Sequence, residues 1–95
     1  MSHQHTDKDL LYNNISKAKR GRIKLMLKLP AIRSHLIRLI GDPIDDLAEA
    51  YDEATEMLDE LRRNNAKYVV LLKEYKTICS DIEHDVVKYC HSTKR

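Results

Sequence analysis

The chain has 95 residues, with 17 Lys or Arg, 15 Asp or Glu, two Gly, two Pro, two Cys, and neither Trp nor Phe. That composition describes one domain or one elongated helical element. It has too few turn formers for a β-rich fold or a phosphate-cradling glycine loop, and it is too short for a large core. A formal net charge of +2 hides a sorted distribution: Leu10 to Gly41 holds eight bases and no acid, and Asp42 to Leu61 holds nine acids and no base.

In chain order, residues 1–6 are polar and read as a disordered terminus. Thr6 followed by Asp9 resembles a capping box, which would start a helix near Asp7. A stripe then recurs at steps of three and four: Leu11, Ile15, Ala18, Arg22, Leu25, Leu29, Ile32, Leu36 and Leu39. Only Arg22 breaks its apolar character. Gly21 weakens such a helix by roughly 1 kcal/mol relative to Ala. Pro30 removes a backbone donor and crowds the turn before it. Residues 7–41 therefore read as a basic helical segment, either kinked near Pro30 or split into two helices meeting near 29–31. Gly41-Asp42-Pro43 is the strongest punctuation in the chain. Gly41 suits a left-handed position past a helix end, Asp42 an N-cap and Pro43 a first helical position.

From Ile44 to Tyr89 a heptad runs without a slip. Its a positions are Ile44, Tyr51, Leu58, Asn65, Leu72, Cys79 and Val86; its d positions are Leu47, Ala54, Leu61, Tyr68, Tyr75, Ile82 and Tyr89. The unbroken phase predicts one long helix over 42–91, roughly 73 Å at ~1.5 Å per residue, with 92–95 as a tail. Arg63-Asn64-Asn65-Ala66 is its one weak place, where a turn between two shorter helices is the alternative. Asn65 at a single a position would fix register. The flanking e and g positions carry Ala48, Ala50, Met57, Val69, Leu71 and Ile78, an apolar face wider than a dimer seam and suited to a bundle of three or more helices.

These features predict an all-α fold, an antiparallel helical hairpin with a long heptad-patterned second helix, forming a helical bundle or coiled-coil oligomer. If the basic segment folds back about residues 41–43, position i faces position 84 − i. Arg38 then meets Asp45 and Asp46, Arg33 meets Asp52, Lys28 meets Glu56, and Lys24 meets Glu60. The overhanging stripe of Tyr68, Leu72, Tyr75, Cys79, Ile82, Val86 and Tyr89 would need a second copy of the chain or a helical protein partner. The expected function is a non-enzymatic protein–protein interaction module, an adaptor, scaffold or regulatory subunit.

The alternative is a small DNA- or RNA-binding regulator. Lys17, Lys19, Arg20 and Arg22 cluster tightly, and the region expected to face them is also basic, with Arg62, Arg63 and Lys67. Uncompensated cations of this kind form a phosphate footprint. Arg22 to Pro30 also alternates strictly, as a half-buried strand does. With helical segments on either side of Gly41, this stretch resembles a ribbon-helix-helix DNA-binding domain. The resemblance covers about residues 22–58 and implies a dimer with Lys24, Met26 and Lys28 facing DNA. Asp42, Asp45 and Asp46 depart from that pattern, because acids there would repel a phosphate.

The remaining function classes find little in the sequence. Residues 17–40 are basic and amphipathic, as a membrane-surface helix would be, but Pro30 and the acidic block oppose that reading. The longest apolar run, Tyr68 to Leu72, is far short of a membrane span. His84 and His91 share a helix face yet stand ~10 Å apart, and Asp81 with His84 is a single outward pair, so no metal site is expected. No nucleophile–base motif and no cofactor motif occurs, so the chain is not expected to be an enzyme. Cys79 and Cys90 form no disulfide framework, and no apolar signal segment is seen. A cytoplasmic protein with reduced thiols is the expectation, or a nuclear one if the source is eukaryotic.

Overall fold

The computed structural model describes residues 16–39, 41, 43–64 and 68–92. Helix α1 spans Lys17–Lys28, a 3-10 turn spans Pro30–Ile32, and α2 spans Arg33–Arg38. The longer α3 and α4 span Ile44–Arg63 and Val69–Ser92. Among the described residues there is no strand. The expected capping box at Thr6, the helix start near Asp7, and the tail beyond Ser92 lie outside them.

Helix α1 opens on Ser16, whose hydroxyl accepts the Lys19 amide at 3.1 Å and satisfies one of the orphan donors of the first turn. Its interior corrects the strand reading of 22–30, and the ribbon-helix-helix resemblance falls with it. Leu25 is fully buried, whereas Ile23 and Leu27 are 41% and 72% exposed. Residues two apart on a helix point to opposite sides, so the alternation could not be buried as a set. The helical stripe through Leu25, Ile32 and Leu36 won the core.

At Leu29 the backbone leaves the helix (φ −123°, ψ 70°), and Pro30 begins the 3-10 turn, where its missing amide is no loss. Of the two possibilities at Pro30, the chain takes two helices rather than one kinked helix. A second reversal follows α2. Gly41 has φ +95°, the left-handed region glycine enters freely, and its carbonyl accepts the Asp45 amide at 2.9 Å. The same residue thus turns the chain and starts α3, whose first turn carries Asp45 and Asp46 at the positive end of the helix dipole. Asp42 is outside the described residues.

Two reversals rather than one change the arrangement. Gly21 lies on Ala48, Lys24 reaches Asp52 and Glu56, and Lys28 shares a hollow with Asp59 and Arg62. The numbers rise together, so α1 crosses α3 in broadly the same sense, and the antiparallel fold-back of basic on acidic segment is corrected. Every expected pair is redistributed. Asp45 pairs with Arg22, Asp52 with Arg20 and Lys24, and Glu56 with Lys24. Arg33 donates to the Met26 carbonyl at 3.1 Å.

The single helix expected over 42–91 is two helices. Asn64 has left α3 (φ −93°, ψ 11°), and its side-chain amide donates to the Glu60 carbonyl at 3.0 Å, a local bond that competes with helix continuation. Helix α4 then packs back along α3. Arg62 faces Lys76 across one hollow, and the Tyr51 hydroxyl donates to Glu83 at 2.6 Å farther along. The antiparallel pair is therefore α3 and α4, with α3 the central helix. The core joins Leu25, Leu36, Ile44, Ala48, Tyr51 and Leu58 to Cys79, Ile82, Val86 and Cys90. Asn65, the expected register-fixing residue, is outside the described residues.

Candidate protein-interaction site

The acidic and basic blocks meet inside the fold. Asp52 is buried, with Arg20 at 3.1 Å and Lys24 at 2.9 Å. Burial alone would raise the Asp52 carboxyl pKa. The hydrogen bonds from Arg20 and Lys24 outweigh it and hold the group below the usual value of 3.8. Burial likewise works against the Lys24 charge, but Asp52 and Glu56 raise its pKa above 10.5. Arg22 donates to the carbonyls of Leu36 and Leu39 and pairs with Asp45 at 2.9 Å.

The described residues of the expected nucleic-acid footprint are divided between different surroundings. Lys17 pairs with Glu53 at 3.1 Å, while Arg20 and Arg22 are engaged within the fold. Lys17 and Arg20 face Glu53, Glu56 and Glu60. Arg62 stands beside Lys28 and Lys76, 3.8 Å from Asp59. Lys19 and Arg63 are exposed, and Lys67 is outside the described residues.

The stripe expected to need a second chain is covered by α3 of the same chain. Cys79, Ile82 and Val86 are buried, Leu72, Tyr75 and Tyr89 half-buried, and Tyr68 exposed. The overhang that called for an obligate partner is thereby removed. Burial pushes both thiols, Cys79 and Cys90, above the usual range, Glu83 adding to the shift at Cys79.

A free apolar groove lies one helical step away. Ala50, Ala54 and Met57 of α3 and Tyr75, Ile78 and Ile82 of α4 form a groove of about 360 Å³. Met57 is 39% and Ile78 41% exposed, and Leu71, two turns before Ile78, is 40% exposed. The alanines keep the α3 wall low. Acids border both sides. Helical spacing sets Asp46, Glu53 and Glu60 beside Ala50 and Met57, and sets Glu74, Asp81 and Asp85 on the stripe of Ile78. All six are exposed. Glu53 meets Lys17; the other five make no ion pair with a described residue. The sequence did carry a signal here. Ala50, Met57, Leu71 and Ile78 are four of the six apolar residues at e and g positions, read there only as a wider bundle face.

Chemically, such a groove binds by removing apolar surface from water and by charge. Among the described residues there is no group of three or more His, Cys, Asp or Glu that could hold a metal ion. No described helix is long and apolar enough to cross a membrane. Comparison of the chain with protein-family models, curated proteins and solved structures gives no match.

Proposed function

We propose that this chain is a non-enzymatic protein-interaction module whose α3–α4 groove takes a basic amphipathic helix. The observation that carries the reading is the apolar groove itself, beside which helical spacing places exposed acids on both helices. An amphipathic helix lays its apolar side into such a groove at i, i+3, i+4 and i+7 positions, and Lys or Arg flanking that side would answer the five acids that make no ion pair with a described residue. Complementary charge of this kind sets partner choice and encounter rate more than affinity.

The test uses two labelled helical peptides of equal length, one with Leu at those spacings and Lys elsewhere, the other with Glu replacing every Lys. Fluorescence anisotropy should show saturable binding of the Lys peptide and none of the Glu peptide. The double variant M57D/I78D should lose that binding while keeping its helical circular dichroism. Equal binding of the Lys peptide to wild type and M57D/I78D would mean attraction to acidic surface alone and would sink the proposal.

A further inference from the structure

On the side of the α3–α4 pair where α1 ends, a second hollow of about 410 Å³ opens among three helices. Each contributes one cation: Lys28 from α1, Arg62 from α3 and Lys76 from α4. This differs from four other cations of the basic block. Lys17, Arg20, Arg22 and Lys24 each meet an acid, whereas the side chains of Lys28 and Lys76 make no ion pair or hydrogen bond with any described residue. Arg62 has only the 3.8 Å approach of Asp59, with both side chains more than half exposed. Tyr51, Leu58 and Cys79 give the hollow an apolar floor.

Two carboxylates also line it. Asp59 is the loose neighbour of Arg62, and Glu83 accepts the Tyr51 hydroxyl. Three cations from three elements still outnumber them. The volume of the hollow falls within the range of small-molecule sites, ~300–1,000 Å³.

We propose that this hollow binds a small phosphomonoester with a planar apolar body. Lys28, Arg62 and Lys76 hold the phosphate, and the body rests on Tyr51, Leu58 and Cys79. Asp59 and Glu83 leave the lining a surplus of one positive charge, and the phosphate would be met first by Lys28 and Lys76, whose side chains make no ion pair with a described residue. The planar guanidinium of Arg62 can present two donors to one phosphate. The site lies across α3 from the acid-bordered groove and does not depend on it.

Phenyl phosphate is the probe, with inorganic phosphate and phenol as controls, titrated into the full chain and followed by amide chemical shifts in nuclear magnetic resonance. Phenyl phosphate should give saturable shifts around the hollow. Inorganic phosphate should bind at least ~10-fold more weakly, and phenol should not bind. The variant K28A/K76A should lose ~10-fold or more in affinity with an unchanged melting temperature, and bound phenyl phosphate should slow alkylation of Cys79 but not of Cys90. The proposal is overturned if phenyl phosphate does not saturate, if K28A/K76A binds as the wild type does, or if inorganic phosphate binds equally well.

Discussion

A Cβ built on Gly21 would stand 1.7 Å from the carbonyl oxygen of Ala48, so the crossing of α1 over α3 requires a glycine at that position. The neighbouring atom is backbone and cannot rotate away. Gly21→Ala would gain roughly 1 kcal/mol of helix propensity but would force the helices apart at the contact that aligns Arg20 and Lys24 with Asp52. A net loss of at least about 2 kcal/mol is expected, read as a lower urea midpoint at unchanged slope. A Gly21→Ala protein as stable as wild type would rule out this close approach.

Asp52 is the centre of the internal charge cluster. Asp52→Ala leaves Arg20 and Lys24 without their shared acid. Both cations keep some contact with water, so the loss should be about 2 kcal/mol, below the ~3–5 typical of a fully buried pair. Because the folded-state pKa of Asp52 is depressed, its contribution is complete above 3.8 and fades as pH falls through the folded value. Lys24 is raised, so its contribution holds below 10.5 and fades as pH rises past the folded value. Denaturation midpoints from pH 2 to 12 should fall at both ends, and Asp52→Asn should flatten the acid limb.

Tyr51 joins α3 to α4 through Glu83. Burial and the adjacent carboxylate both push its phenol well above the usual value of 10.0. Absorbance titration of the tyrosinates should show one late-titrating group that is absent from Tyr51→Phe. Loss of the hydroxyl should cost about 1 kcal/mol. Persistence of the late group in Tyr51→Phe would assign it to another tyrosine.

Arg20 and Arg22 are engaged inside the fold and Lys17 pairs with Glu53 at the surface, which leaves the 17–22 cluster little uncompensated charge for a duplex. A labelled duplex of ~30 base pairs should show no sub-micromolar binding near ~0.1 M salt and only a shallow salt dependence. Tight binding with a steep salt slope would restore the nucleic-acid reading and require the internal pairs to open.

Much of the core was legible before the structure. Leu25, Ile32 and Leu36 in the basic segment, and Ile44, Tyr51, Leu58, Cys79 and Val86 in the heptad, are buried because helical periodicity records which face leaves water. Register was not legible. It depended on how many times the chain reverses, and Pro30 admitted both a kink and a turn. Continuity across 64–68 was read through Asn65 and Tyr68. Tyr68 proves to be exposed, so the unbroken phase at that point reflected two helices sharing one core, each with its own stripe. Gly21 was visible only as a weak helix residue, and Arg22 as a charge in an apolar stripe and a candidate phosphate contact. Their use lies in partners far along the chain, which spacing alone does not reveal.

Arg22 places that dependence in terms of autonomy. Its guanidinium takes the carbonyls of Leu36 and Leu39 and the carboxylate of Asp45, so the end of α2 and the start of α3 are fastened by a residue from α1. The six-residue α2 is far too short to persist alone in water. The return leg is consequently not a separable hairpin. A fragment beginning beyond Lys24 would keep every residue of α2 and α3 yet lack the group that holds their junction. The reversal at Gly41 belongs to the assembled domain and not to its local sequence.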